Sequence, residues 1–275
     1  MPARFASASG KIILSGEYAV LFGKRGVAIP SDLRMNSTLE ESQKNNGITI
    51  HFVPSPLGGG EGVGALWIEY ARKIAQKITN KTKNISGILT IDNALPLGKG
   101  MGSSTALIIA MCRCIVGQDS ANIALEIENE MNPGHSGIDF AVIWEEKPIL
   151  FSKNKTPEVI TLPEDLLHGM TLIDTGRPTE TTTELVAWIR TRYDSQETGV
   201  RDAIETIGRC TERILAGEEI QKVVRDHHRA QVALGVVPEE TQKIIAEIEK
   251  SGGAAKVLGA GSRAGGGGMV LVLPA

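Results

Sequence analysis

The order of the predicted elements indicates an α+β protein. Strand-like segments come first, helical segments fill most of the second half, and two short strands at 254–258 and 269–273 close the chain. The chain shows neither a repeating β-α-β array nor an internal sequence repeat. With 275 residues, 41% of them hydrophobic and 22% charged, it can bury a sizeable core and divide into two lobes.

Apolar residues with the periodicity of strands predict the extended elements. In the first half these elements lie at 4–14, 26–39, 48–53 and 85–91, and Gly10 interrupts the first of them. A β-hairpin is predicted from two short apolar segments, 140–144 and 148–151. One further strand, over 168–174, precedes the helical half of the chain.

Apolar residues at helical spacing predict the remaining elements. In the first half, a helix containing residues 67–78 follows a loop rich in proline and glycine at 54–64, and further helices cover 103–116 and 119–131. The helix over 103–116 is apolar on all sides, which indicates that it is buried. In the second half, residues 179–250 predict successive helices separated at 194–199, 217 and 235–238.

Charge and cysteine content exclude several classes of function. The formal net charge of -3 provides no electrostatic basis for binding nucleic acid or an anionic membrane. No stretch approaches the ~20 apolar residues of a membrane-spanning helix, and the N-terminus has no signal-peptide pattern. The three cysteines are odd in number, and Cys112 and Cys114 lie in an apolar helical run, which favours reduced core thiols over disulfides or a metal site. These features predict a cytoplasmic protein.

A glycine-rich loop lies directly before the predicted buried helix. Its glycines allow positive φ and a close approach of the backbone to a ligand, and its serines can cap a helix whose free N–H groups attract phosphate. The spacing matches neither the Walker loop nor the dinucleotide-binding fingerprint. Taken alone, the loop is equally well explained as a glycine turn with a serine cap. The residues predicted to contact phosphate are Pro96, Gly98, Lys99, Gly100, Met101, Gly102, Ser103, Ser104 and Thr105.

Two charged residues lie next to glycines at the ends of apolar segments. Lys11 follows Gly10, and Asp139 follows Ser136-Gly137-Ile138. Each has a simple structural explanation: Lys11 as a solvated charge at a strand end, and Asp139 as a turn residue. Together, however, they are the pair that phosphoryl transfer to a hydroxyl requires. The lysine stabilises developing negative charge, and the aspartate receives or orients the hydroxyl proton.

These segments resemble, in order, the signature motifs of the GHMP kinase superfamily. The loop at 96–105 is similar to that family's P-x-G-x-G-L-G-S-S-A-A phosphate loop. Residues 9–21 form the second motif, and residues 256–261, similar to the family's K-x-T-G-A-G, form the third motif. The resemblance implies the GHMP kinase fold, with an N-terminal ribosomal-protein-S5-like α/β lobe over 1–150 and a C-terminal ferredoxin-like α+β lobe over 151–275. It also implies ATP as the phosphoryl donor and Mg²⁺ as its companion ion.

The same resemblance implies roles for individual residues. Asp139 matches the catalytic aspartate of the family and Lys11 its partner lysine. Ser104 and Glu128, the latter eleven positions before Asp139, match the magnesium ligands, and oxygen ligands of this kind suit a hard cation. The residues expected to line the acceptor pocket are Lys11, Glu17, Tyr18, His135, Asp139 and Thr181.

Within the superfamily, the mevalonate kinase branch is the most similar. Residues 174–181, Asp-Thr-Gly-Arg-Pro-Thr-Glu-Thr, resemble its segment D-T-G-x-P-R-x-T. This similarity implies a small-molecule acceptor, the hydroxyl of mevalonate, and no nucleic-acid or membrane partner, and it leaves a homodimer open. Arg177, Lys99 and Arg263 are the candidates for contact with the acceptor carboxylate.

Three departures keep alternatives open. Tyr18 makes the second motif read G-E-Y-A-V, which is more typical of phosphomevalonate kinases than of mevalonate kinases. The histidine expected shortly before Asp139 is displaced to His135, and the residues 262–264 lengthen the third motif. A phosphomevalonate kinase, another GHMP small-molecule kinase and a non-catalytic ATP-binding relative are therefore the alternatives.

Overall fold

The computed structural model describes residues 3–42, 47–53, 63–82 and 85–275, and within these ranges nine strands form two sheets. The strands are β1 (Arg4–Ser15), β2 (Arg25–Glu41), β3 (Ile48–Val53), β4 (Gly87–Asn93), β5 (Ile149–Ser152), β6 (Glu158–Val159), β7 (Thr171–Asp174), β8 (Ala254–Val257) and β9 (Met269–Leu273). The α-helices are α1 (Val63–Lys81), α2 (Ser103–Ile115), α3 (Ala121–Met131), α4 (Ile138–Glu145), α5 (Thr182–Asp194), α6 (Thr198–Leu215), α7 (Ile220–Leu234) and α8 (Glu239–Lys250). A short 3-10 helix covers Ala19–Phe22. The predicted loop at 54–64 lies outside the described residues up to position 62.

Strand β2 organises the first sheet because its 17 residues are long enough to pair with three strands. Strand β1 runs antiparallel along one side of β2. On the other side, β4 pairs with residues 35–41 and β5 with residues 25–28. Strand β3 lies parallel to β4, and β6 lies antiparallel to β5. The first sheet therefore continues past residue 150. The boundary between the two predicted lobes at that residue remains a prediction.

Helix α2 packs against β1, β2, α1, α3 and α4. All but two of its thirteen residues are buried, as the all-round apolar pattern predicts, and Cys112 and Cys114 are free thiols within this core. Burying a side chain such as Leu107 or Ile108 contributes about 1.5–3 kcal/mol. This packing on every side holds the N-terminal end of α2 in a defined place.

The hairpin predicted from 140–144 and 148–151 is wrong. Residues 138–145 form helix α4, and β5 pairs with β2 and β6 instead of with its predicted partner. The segment is apolar at nearly every position, so its periodicity does not distinguish a buried helix from a buried strand. Positive φ angles at Gly137 and Glu146 mark the two ends of the helix.

The second half contains a three-stranded antiparallel sheet in the order β7-β9-β8 and the four helices α5 to α8. The helices end at the predicted breaks, with Gly217 and Gly235 in the left-handed conformation after α6 and α7. Thr181 caps α5 in a capping box with Glu184. Helices α7 and α8 pack on β8. The predicted α+β class is confirmed. None of the helices in the described part of the chain has the length and apolar character needed to cross a membrane.

Candidate active site

A cleft of about 530 Å³ lies between the start of α2 and the segment that leads from β7 into α5. It gathers predicted site residues from both halves of the chain. Two predicted residues do not line it: Pro96 is buried, and the Met101 side chain lies in the core with no exposed area. The predicted residues that line the cleft are Lys11, Glu17, Tyr18, Gly98, Lys99, Gly100, Gly102, Ser103, Ser104, Thr105, Glu128, His135, Asp139 and Thr181.

The N-terminal end of α2 opens into this cleft. The helix begins at Ser103 after Gly102, whose φ of 72° is left-handed, and the Gly98 N–H donates to Ser103 Oγ at 3.2 Å. The first N–H groups of a helix have no acceptor within the helix, and they lie at the positive end of its dipole. Because Ser103, Ser104 and Thr105 line the cleft, this end can receive the oxygens of a phosphate group.

The third motif packs directly on the phosphate loop. A Cβ atom on Gly100, whose φ is 88°, would lie 2.3 Å from the Leu258 carbonyl oxygen, a distance that no side chain tolerates. On the other side, the Met269 N–H donates to the Lys99 carbonyl at 3.0 Å. The loop conformation therefore depends on contacts with residues more than 150 positions away, and the glycine is required because two backbones meet there.

Lys11 and Asp139 form an ion pair inside the cleft, with 3.0 Å between Nζ and Oδ1. A register shift in β1 between Ser9 and Lys11 directs the lysine inward, as bulges commonly do, and the Lys11 N–H donates to the Met101 carbonyl at 3.0 Å. The Lys11 side chain is 2% exposed, whereas that of Asp139 is 33% exposed. The lysine is therefore a fixed charge, and the aspartate is accessible to a ligand.

Helix α4 presents Asp139 at this position. Gly137 adopts a left-handed φ of 94°, the Ile138 N–H donates to Ser136 Oγ at 3.3 Å, and Asp139 falls in the first helical turn. The buried residues of α4, including Ile138 and Val142, anchor the helix in the core. Helix α4, which includes residues 140–144 of the predicted hairpin, is thus the element that fixes the Asp139 carboxylate.

Glu128 and Ser104 lie where a cation could bind. Thr105 Oγ1 donates to Glu128 Oε1 at 2.9 Å, while Glu128 Oε2 is buried without a hydrogen-bond partner in the described part of the chain. Asn132 Nδ2 donates to Ser104 Oγ at 2.9 Å, and the Tyr70 hydroxyl lies 3.1 Å from the same oxygen. An unpartnered carboxylate oxygen and an oriented hydroxyl are suitable ligands for Mg²⁺. Within the described ranges, no three His, Cys, Asp or Glu side chains cluster as a closed metal site.

Burial raises the pKa of Glu128 to about 7, from an ordinary value of 4.5. The protonated form is therefore favoured in the folded protein, and the stability it confers is lost as the pH rises from about 4.5 through 7. We expect Glu128→Gln to stabilise the metal-free protein at pH 8 by an amount on the order of 3 kcal/mol. At pH 4.5 the difference should vanish, because the wild-type carboxyl is then protonated in the folded protein. Chemical denaturation in a chelating buffer at both pH values measures this effect, and an equal difference at both would contradict it.

Glu17, which the sequence predicts in the acceptor pocket, is almost fully buried and is already paired with other side chains. Its side chain is 2% exposed; Oε1 pairs with Lys256, and Oε2 lies 3.0 Å from His227 Nε2. Lys256 Nζ also donates to the Ile13 carbonyl at 2.9 Å. Burial alone would raise the pKa of Glu17, but the Lys256 charge and the contacts with His227 outweigh it and lower that pKa to about 2. This cluster joins β1, β8 and α7 beneath the cleft.

Tyr18 adopts a backbone conformation that is rare for a residue with a side chain. Its φ and ψ are 61° and -44°, and the Ala19 N–H donates to the Glu17 carbonyl at 2.7 Å, which closes a γ-turn. The Tyr18 hydroxyl donates to the Ala260 carbonyl at 2.5 Å. Burial raises the pKa of Tyr18, so its hydroxyl remains a neutral donor. The tyrosine therefore links the second motif to the third.

The residues that lengthen the third motif brace one wall of the cleft. Ser262 Oγ donates to Glu180 Oε2 at 2.6 Å, and Arg263 Nε donates to Glu180 Oε1 at 2.8 Å. The Thr179 N–H donates to Ser262 Oγ at 3.2 Å. These bonds fix the segment just before Thr181, so the extra residues have a structural role next to the expected acceptor site.

His135 also lines the cleft, with Nε2 2.7 Å from Asn129 Oδ1. Burial lowers the pKa of His135, which favours the neutral imidazole. Sequence reasoning did not identify Tyr70, Asn132 or His227, which support Ser104 and Glu17. Each lies outside the recognised motifs and within or at the end of a helix, and no local pattern distinguishes it there from an ordinary surface or core residue.

Comparison with known proteins agrees with this geometry. Residues 69–145 match the family model for the GHMP kinases N terminal domain. The chain is similar to the mevalonate kinase of Archaeoglobus fulgidus, with 28% identity over 98% of this chain and 91% of the relative. The crystal structure of the Methanococcus jannaschii mevalonate kinase superposes with a TM-score of 0.80 at 19% identity, covering 100% of this chain and 91% of that one. The L. major mevalonate kinase in complex with R-mevalonate superposes with a TM-score of 0.81 at 17% identity, covering 100% and 87%.

Proposed function

Because this chain carries the N-terminal domain of the GHMP kinases and the GHMP kinase fold, we propose that it is an ATP-dependent kinase acting on mevalonate. It would transfer the terminal phosphoryl group of ATP to a hydroxyl of (R)-mevalonate and so produce 5-phosphomevalonate. The observation that carries this proposal is the ion pair of Lys11 and Asp139, which lies in the same cleft as the open N-terminal end of α2.

The phosphate loop would bind the donor. The N–H groups at the start of α2 would donate to phosphate oxygens, and Ser104 and Glu128 would hold the magnesium ion. When bound, Mg²⁺ neutralises phosphate charge and orients the reacting groups. Glu128 Oε2 is buried and has no hydrogen-bond partner among the described residues, which supports this assignment because an unsatisfied buried carboxylate oxygen is costly unless a ligand completes it.

Asp139 and Lys11 would act on the acceptor and on the group in transfer. The accessible Asp139 carboxylate would orient the acceptor hydroxyl and take its proton, while the Lys11 ammonium would stabilise negative charge on the transferring oxygens. Most of the rate enhancement would come from this positioning and charge stabilisation, as in phosphoryl transfer generally.

The alternative acceptor, phosphomevalonate, fits the cleft less well. A phosphorylated acceptor requires additional cations that are free to bind a second phosphate group. Of the described cations that line the cleft, Lys11 and Lys99 already pair with Asp139 and Asp174, which leaves Arg177 alone to meet both the carboxylate and the phosphate group of this acceptor. Tyr18 occupies the position at which mevalonate kinases usually have histidine. Phosphomevalonate is therefore included among the acceptors to be tested.

Measurement of ADP release in a coupled assay with Mg·ATP tests the proposal. Mevalonate, phosphomevalonate, galactose and homoserine would serve as parallel acceptors, and phosphorus NMR would identify the product. We expect turnover with mevalonate to exceed turnover with the others by at least tenfold. Turnover with phosphomevalonate alone would replace the proposed acceptor, and no turnover with any of the four would leave a nucleotide-binding protein without kinase activity on them.

A further inference from the structure

The segment that follows the third motif connects two parts of the cleft. We call residues 260–264 the brace. Tyr18 Oη donates to the first carbonyl of the brace at 2.5 Å, whereas Ser262 Oγ and Arg263 Nε donate to Glu180 at 2.6 and 2.8 Å. Tyr18 and Glu180 both line the cleft, and they come from different halves of the chain. The brace therefore holds both halves of the chain around one cavity.

Glu180 is the residue at which the brace meets the segment between β7 and α5. Besides the two side-chain contacts, the Arg263 N–H donates to Glu180 Oε2 at 3.2 Å, and Thr179 Oγ1 lies 2.7 Å from the same oxygen. Because both carboxylate oxygens are engaged, the Glu180 side chain is held in one orientation. Ser262 and Arg263 belong to the residues that lengthen the third motif, so this contact is an addition to the usual pattern of that motif.

The brace itself has a fixed base. Gly261 has a left-handed φ of 69°, and a Cβ atom there would lie 2.1 Å from the Val236 carbonyl oxygen. The same carbonyl accepts from the Ser262 N–H at 3.0 Å. The Arg263 guanidinium lies over the ring of Trp188, a residue of α5, with 5.0 Å between Cζ and the ring centroid. The brace is therefore held by α5 and by the backbone that follows α7, and it has little freedom to move.

The residues that lead into the brace contact the phosphate loop. Leu258 and Gly259 pack on the backbone of Gly100, so one continuous stretch of chain reaches from the phosphate loop to Glu180. Glu180 belongs to residues 177–181, which line the cleft and which we call the acceptor wall. Phosphoryl transfer depends on the distance between the acceptor oxygen and the phosphorus, and a misplacement of about 1 Å can cost about 10²-fold in rate. The separation of the acceptor wall from the phosphate loop therefore matters for turnover.

We propose that Glu180 is a positioning residue that, through the brace, sets this separation and thereby limits the length of the acceptor; this inference rests on the proposed function. Glu180 needs no contact with the acceptor for this role. With the wall held at one distance, an acceptor of matching length places its hydroxyl next to Asp139, whereas an acceptor longer by one methylene has to displace the wall. Once the wall is released, both acceptors bind in several positions, so turnover falls and the preference between them narrows.

Steady-state kinetics of Glu180→Gln and Arg263→Gln test this role. We expect each variant to lower kcat with mevalonate about 10- to 100-fold, while the affinity for a non-hydrolysable Mg·ATP analogue stays within about twofold. The double variant should be little worse than either single variant, because both changes remove the same contact. The Arg263 side chain is 49% exposed, so the fold should tolerate its replacement even if Glu180→Gln does not fold.

A mevalonate homologue with one additional methylene beside the reacting hydroxyl provides a readout that a loss of stability does not change. The wild-type protein should prefer mevalonate by about 10- to 200-fold in kcat/KM, and both variants should reduce this preference at least about fivefold. The matched control is Arg192→Gln. Arg192 also lies over the Trp188 ring, at 4.4 Å, and pairs with Glu197, but it is not among the residues that line the cleft. Its replacement should leave kcat and the preference unchanged.

An unchanged preference in both variants would overturn the proposal, whatever the change in kcat. An equal effect of Arg192→Gln, or a parallel loss of affinity for the Mg·ATP analogue, would overturn it as well. If the wild-type protein does not phosphorylate mevalonate at all, the proposed function fails and this inference fails with it. Wild-type turnover together with variants that behave like the wild type rejects the inference alone.

Discussion

Replacing Asp139 by Asn should lower kcat with mevalonate by about 10²- to 10⁴-fold, the usual contribution of a positioned proton acceptor. The change is nearly isosteric. In the wild-type protein Lys11 Nζ lies 3.0 Å from the Asp139 carboxylate, and the amide oxygen of the variant can still accept a hydrogen bond from this lysine. Affinity for Mg·ATP should remain close to that of the wild type, because the donor contacts lie at α2 and α3. Steady-state kinetics combined with titration calorimetry of a non-hydrolysable ATP analogue measure both quantities.

The control for this variant is Asp119→Asn, which makes the same chemical change at an exposed position before α3. It should leave kcat and nucleotide affinity unaltered. A variant of Asp139 that retains wild-type turnover would remove this residue from the mechanism. Loss of both nucleotide binding and turnover would instead indicate a structural role for the ion pair between Lys11 and Asp139.

Breaking the buried pair of Glu17 and Lys256 should produce a large loss of stability. Lys256 has no exposed area, and the Glu17 side chain is 2% exposed, so removing either partner leaves a buried charge without its counterion. We expect Lys256→Met and Glu17→Gln each to lower the free energy of unfolding by about 3–5 kcal/mol. The double variant should lose less than the sum, because neither charge then remains. Urea denaturation of the four proteins completes the cycle.

Lys250→Met is the matched control, because Lys250 and its partner Glu247 are 71% and 70% exposed. It should change the free energy of unfolding by less than about 1 kcal/mol. The pH dependence provides a second check. Since the pKa of Glu17 is lowered to about 2, its stabilising contribution is present above pH 4.5 and is lost as the pH falls towards 2. Glu17→Gln should lack this acid-dependent component, and strictly additive single effects would show that the two side chains do not act as a pair.

Local patterns predicted most elements because the relevant physics is local. The boundaries of α6, α7 and α8 follow from glycine and proline positions, and the burial of α2 follows from its uniformly apolar composition. The same logic failed for residues 138–145, where an apolar run carries no periodicity. It also could not place Tyr70 next to Ser104, since that contact depends on how α1 packs against α2.

The sequence by itself determined the α+β class and identified the glycine-rich loop, Lys11 and Asp139 as candidate site residues, because these depend on residue type and short-range order. Only the tertiary structure decided which charges are already compensated. It placed Glu17 against Lys256, Lys99 against Asp174 and Arg263 against Glu180, and among the residues that it describes it gives Arg177 no ion-pair partner. The physical reason is that ion pairing depends on distance and burial in space, and residues that lie more than 200 positions apart in the chain become neighbours only when the chain is folded.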